Sequence, residues 1–126
     1  MNKPRVLLIE DDVWLADSYV SVLKGSYDLV VAASGADAMK LIDDKGFDLM
    51  IADVMLENGL VIDLLHELQT HLDTMDVPII ICSSLAASID LNDLKTYGVV
   101  AVLDKSTLTL EGLRVAAQRA LGEKGV

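Results

Sequence analysis

Glu10, Asp11 and Asp12 directly follow the apolar run Val6-Leu7-Leu8-Ile9, and Asp53 directly follows Leu49-Met50-Ile51-Ala52. Ser83 stands after Ile79-Ile80-Ile81-Cys82, and Lys105 stands just beyond Val99-Val100-Ala101-Val102-Leu103. Each polar group thus sits at the end of a run that reads as a buried strand. Two carboxylates a few ångströms apart repel by roughly 4 kcal/mol at an effective dielectric near 20. A divalent cation between them removes most of that cost. Hard carboxylate oxygens with room for waters suit Mg²⁺, which takes few protein ligands and keeps several waters. An anion beside Asp53 would meet that cation on one side, Lys105 on another and the Ser83 hydroxyl on a third. Phosphoryl transfer needs such charge around the equatorial oxygens and a nucleophile in line. The nucleophile on offer is the Asp53 carboxylate, whose product is an acyl phosphate.

These residues meet only if the strands lie side by side. The pattern alternates short apolar runs with amphipathic stretches, the mark of β-α units rather than hairpins. It predicts strands over 5–9, 28–32, 49–52, 79–82 and 99–103. Helices are expected over 13–24 (Leu15, Tyr19, Val20 and Leu23 inward), from Ser34 as N-cap to about Asp44 (Ala38, Leu41 and Ile42 inward) and over 60–72 (Leu64, Leu65 and Leu68 inward). Ser88 is expected to cap a fourth helix ended by Gly98, and a fifth runs over 107–121. Continuous Val, Ile and Leu runs imply strands covered on both faces. With right-handed crossovers the natural topology is a flavodoxin-like, doubly wound α/β sheet of order 2-1-3-4-5 with five helices. In that order strands one and three are neighbours, so Glu10 and Asp11 face Asp53 across a short cleft.

The chain of 126 residues has the length of one domain, and its apolar fraction of 52% supplies a core. Its formal charge of −10 argues against a nucleic-acid surface, and against an anionic membrane surface. No apolar run approaches a membrane span, and the start lacks a signal-peptide core, so a cytoplasmic setting is expected. The single cysteine, Cys82, can form neither an intrachain disulfide nor a cysteine-based zinc site and reads as core. Trp14 is expected to be partly buried beside the acidic cluster. His66 and His71 have no partner by spacing and are expected to be exposed on or near the third helix.

With Ile9-Glu10-Asp11-Asp12, Asp53-Val54-Met55-Leu56, Ser83, Gly98 and Lys105 in this order and spacing, the chain resembles the receiver domain of two-component response regulators. The resemblance covers essentially all of residues 1–126, read as one receiver domain. It implies that Asp53 accepts a phosphoryl group from a sensor histidine kinase or phosphotransfer protein. It implies a Mg²⁺ site made by Glu10, Asp11, Asp53 and the backbone carbonyl of Met55, with Asp11 the direct ligand of the acidic pair and Glu10 acting mainly through water. Ser83 corresponds to the switch hydroxyl and Lys105 to the phosphate-binding lysine. Asp12, one place beyond the pair, reads as a helix N-cap. The expected output is a change on the face formed by the fourth helix, fifth strand and fifth helix, answered by a homodimer or an output domain.

The sequence departs from the family pattern at three positions. Val102 stands where an aromatic switch residue is common, Ser106 replaces the proline after the lysine, and Glu57 replaces a proline after Asp53. Two rival functions share the strand-end acids. An aspartyl-phosphate-forming phosphatase would need a second acid two residues past the nucleophile, where this chain has Met55, and a cap domain. A cofactor binder with the same fold would need a glycine-rich turn after the first strand, where this chain has acids that would repel a phosphate.

Overall fold

The computed structural model describes residues 3–41, 46–53, 63–67 and 77–122. Among the described residues there are five strands: β1 (Arg5–Ile9), β2 (Asp28–Ala32), β3 (Leu49–Asp53), β4 (Ile79–Ser83) and β5 (Val99–Asp104). They form one sheet of order β2-β1-β3-β4-β5, parallel throughout. The helices are α1 (Val13–Leu23), α2 (Gly35–Leu41), α3 (residues 63–67), α4 (Leu91–Leu94) and α5 (Leu110–Ala120). The flavodoxin-like topology expected from the sequence is therefore the one observed.

Pleating sorts the strand residues between two helical layers. Leu7, Ile9, Met50, Ala52, Ile79 and Ile81 pack on the side of Ala38, Leu65 and Leu94, which come from α2, α3 and α4. Val6, Leu8, Leu49, Ile51, Ile80 and Cys82 pack on the side of Ala16, Tyr19, Leu23, Leu113 and Ala117, from α1 and α5. Alternation then carries Glu10 and Asp53 out on the α1/α5 side and Ser83 on the other. Strand β5 reaches the same parity through a bulge. Ile79 pairs with Val99 and Ile80 with Ala101, so Val100 is skipped and left half exposed. Beyond the bulge, Ala101 and Leu103 face the α1/α5 layer, and Lys105 follows in step.

Asp12 caps α1 as expected, accepting from the backbone N–H groups of Trp14 (2.9 Å) and Leu15 (3.2 Å). Ser34 caps α2 through its Oγ, which accepts from Asp37 N–H at 3.1 Å. Gly98 ends the α4 region at φ +88, where a Cβ would meet the Val77 carbonyl at 3.0 Å, so only glycine suits the entry to β5. Among the described residues no helix is long and apolar enough to cross a membrane.

Several local expectations are corrected. Ser88 closes a short 3₁₀ turn, its hydroxyl donating to the Leu85 carbonyl, and the cap of α4 is Asp90. An aspartate two residues later competes better because its carboxylate carries full charge at a helix start. Helix α5 begins at Leu110 behind Thr109 rather than at Thr107, because residues 105–107 form a turn beyond Asp104. Leu41 is exposed, not inward. Trp14 is 84% exposed, since it precedes the Leu15-Ala16-Tyr19-Leu23 stripe in the first turn of α1. His66 is exposed but partnered: its Nε2 lies 2.6 Å from the Tyr97 hydroxyl, with the rings edge to face at 4.8 Å. The expectations for Ile42, Leu68, His71 and the loop after Asp53, including Met55 and Glu57, fall outside the described residues.

Candidate functional site at the carboxyl rim

Parallel pairing brings the rim together from distant segments. Ile9 pairs with Ala52, and Asp53 pairs with Cys82, so Glu10 and Asp53 leave adjacent strands at nearly the same height. Both are nearly inaccessible, at 2% and 3% exposure. The backbone N–H of Glu10 donates to the Ala32 carbonyl, fixing its Cα on the sheet. The N–H of Lys105 donates to the Ser83 carbonyl at 3.0 Å, carrying β5's end past β4. The Lys105 Nζ then lies 2.7 Å from Asp53 Oδ1 and 3.9 Å from Glu10 Oε2. Neither of those oxygens has an aligned hydrogen bond, although both are buried.

Two buried carboxyl groups thus share one ammonium. Burial chiefly, with the Asp53 carboxylate adding to it, raises the Glu10 pKa from 4.5 to about 7, against a lowering pull from the Asp12 N–H and Lys105. Burial alone would lower the Lys105 pKa, but its bond to Asp53 and the charges of Asp53, Glu10 and Asp11 raise it, so it stays an ammonium ion. Burial and the nearby Asp53 charge push the Cys82 thiol up to about 12, in keeping with an inert core residue.

Ser83 is fully buried, and its Oγ accepts from the Leu85 N–H at 2.9 Å, holding the start of the β4–α4 loop. Ser84 is exposed. Asp11 is exposed at the mouth, close enough for its charge to act on Lys105. The turn after Lys105 is held without proline. Asp104 Oδ1 accepts from both the Ser106 N–H (2.9 Å) and the Ser106 hydroxyl (2.7 Å), and the Lys105–Ser106 peptide is trans.

The donor set fits a hydrated Mg²⁺. Glu10 Oε2 and Asp53 Oδ1 are buried without an aligned hydrogen bond, and the two carboxyl groups meet a single Lys105 ammonium. Among the described residues no three acidic, histidine or cysteine side chains form a ready cluster.

One participant escaped the sequence. The Tyr19 hydroxyl donates to Asp53 Oδ2 at 2.6 Å, and the ring is 3% exposed. Burial, then the Asp53 bond, raise its pKa, so the phenol remains a donor. Helical spacing marks Tyr19 as inward; what it lacked was the parity argument that puts Asp53 on the α1 side.

The chain belongs to the response regulator receiver domain family, whose model matches residues 6–118. Receiver domains of this family are signalling phosphoacceptors of two-component systems. Solved structures agree on the fold. The non-phosphorylated HemR receiver domain from Leptospira biflexa is similar with a TM-score of 0.80 at 23% identity, covering 98% of each chain. A sensor protein from Polaromonas sp. JS666 gives 0.78 at 26% identity, over 94% of this chain and 96% of its own. The receiver domain of sensor histidine kinase PA1611 from Pseudomonas aeruginosa PAO1 gives 0.76 at 22%, over 96% and 99%; that protein has a magnesium ion coordinated in its active site cleft.

Proposed function

We propose that residues 1–126 act as one cytoplasmic receiver unit in which Asp53 takes a phosphoryl group from a sensor histidine kinase or phosphotransfer protein. The observation that carries this reading is the buried Asp53 carboxylate with an ammonium 2.7 Å away and a second carboxyl beside it. An Asp53 oxygen attacks phosphorus while the bond from phosphorus to the donor's imidazole nitrogen breaks, and the electron pair leaves with the imidazole. Lys105 offsets the charge arriving on the phosphoryl oxygens, and the Ser83 hydroxyl turns from Leu85 towards them. Glu10, Asp11, Asp53 and, as the family resemblance implies, the Met55 carbonyl would hold Mg²⁺, which would supply further positive charge at that centre.

Phosphorylation adds up to two negative charges at the rim. Drawing Ser83 and Lys105 inward shifts the loops that lead to α4 and α5, altering the face read by a homodimer partner or an output domain. Val102 is only half buried and not aromatic, so this readout runs through the loops rather than an aromatic rotamer. The test is acetyl phosphate labelling in Mg²⁺, followed by intact mass. Wild type should label, and Asp53→Asn should not; equal labelling of that variant refutes the assignment.

A further inference from the structure

The transfer step just described makes no use of Tyr19, yet its hydroxyl is bonded to the nucleophile inside the fold. That bond makes the two oxygens of Asp53 unequal. Oδ2 is occupied by the phenol on the α1 side, and Oδ1 faces the Lys105 ammonium at 2.7 Å. We propose that Tyr19 is a positioning residue that reserves Oδ1 for phosphorylation and, by donating to Oδ2, sets how long the phosphoryl group survives. This inference rests on the reading of Asp53 as phosphoacceptor.

Before transfer, Oδ2 belongs to a carboxylate. After transfer to Oδ1 it is the carbonyl oxygen of an acyl phosphate, uncharged and a poorer acceptor. A hydrogen bond to an ion is roughly twice as strong as one to a neutral group. In hydrolysis a water oxygen attacks phosphorus, the Oδ1–phosphorus bond breaks, its electron pair returns to the carboxylate, and the water's proton passes to solvent. Negative charge therefore reappears on Oδ2 as the bond breaks, and the phenol's bond strengthens in the transition state. Tyr19 makes Asp53 a better leaving group. Losing the hydroxyl slows hydrolysis by about fivefold, the factor that roughly 1 kcal/mol corresponds to. A change that only loosened packing would admit water and act in the opposite direction.

Tyr19→Phe keeps the ring and removes the donor. Wild type and variant are loaded with acetyl phosphate in Mg²⁺, freed of donor, and followed by intact mass. The expected result is a phosphoryl lifetime about fivefold longer in the variant; an unchanged or shorter one overturns the proposal. A second measurement does not depend on the variant's folding well. The protein is made with 3-fluorotyrosine, and the resonances of Tyr19, Tyr27 and Tyr97 are assigned with the single variants Tyr27→Phe and Tyr97→Phe. Beryllofluoride with Mg²⁺ should move the Tyr19 fluorine signal more than the others; a static signal also overturns it. Label that persists in Asp53→Asn brings down the phosphoacceptor reading together with this one. Label confined to Asp53 with a lifetime indifferent to Tyr19 brings down this one alone.

Discussion

At the amino ends of the strands, the Arg5 guanidinium lies over the Phe47 ring at 4.6 Å and donates to the Gly46 carbonyl at 2.8 Å. The backbone N–H of Arg5 donates to Asp48 Oδ2, and Lys3 reaches the Lys24 carbonyl. At the carboxyl ends, Glu10 and Asp53 share a single ammonium, and two of their buried oxygens have no aligned bond. Both rims carry charge on the same sheet. One meets its charge with hydrogen bonds and a ring face, and the other sets two buried carboxyl groups against one ammonium. A protein tolerates such unmet demand where function needs it, because an unsatisfied buried oxygen costs about 1–3 kcal/mol.

The contrast can be broken most severely at Lys105. Lys105→Ala removes the one cation within reach of both carboxyl groups among the described residues. Acetyl phosphate labelling in Mg²⁺ should fall by about two orders of magnitude, in line with loss of one transition-state donor. Labelling within twofold of wild type would show that the lysine is a bystander. A middle-sized effect belongs to Glu10. Its folded pKa, about 7, lies above its unfolded value, so the folded state holds the extra proton between the two. The stability it contributes is complete below about pH 4.5 and is lost as pH rises through 7. In EDTA, urea-unfolding stability should therefore drop between about pH 4.5 and 7 and level off above. Glu10→Gln should flatten that slope and gain about 2 kcal/mol at pH 8. Equal slopes in both proteins would remove the strained carboxyl from the account. The smallest effect is expected at the satisfied rim. Arg5→Ala should cost about 1 kcal/mol of stability and leave the labelling rate untouched. A large change in labelling would mean that the two rims are coupled.

Sequence patterning carried the fold far because it follows burial. Uninterrupted Val, Ile and Leu segments became strands within one residue of expectation, and their order placed Glu10, Asp53 and Lys105 on a common rim. The failures lie where short-range rules compete. Ser88 and Asp90 both offer caps, and Thr107 and Thr109 both precede an apolar residue; geometry of the preceding turn decides between them. Trp14 and Leu41 are large and apolar, but each lies off its helix's inward stripe. Pairs such as Tyr19–Asp53 and His66–Tyr97 join residues 34 and 31 positions apart, a distance at which helical spacing says nothing. The β5 bulge is equally silent in Val99-Val100-Ala101, yet it sets which way Lys105 points.

Asp53 emerges towards the α1/α5 layer, and Ser83, one strand over, towards the layer of α2, α3 and α4. A group bonded to both straddles the crest of the sheet like a rivet through two plates. Under the proposed phosphorylation, such a group would tie the two layers together at the rim, so that a shift in one would be felt in the other.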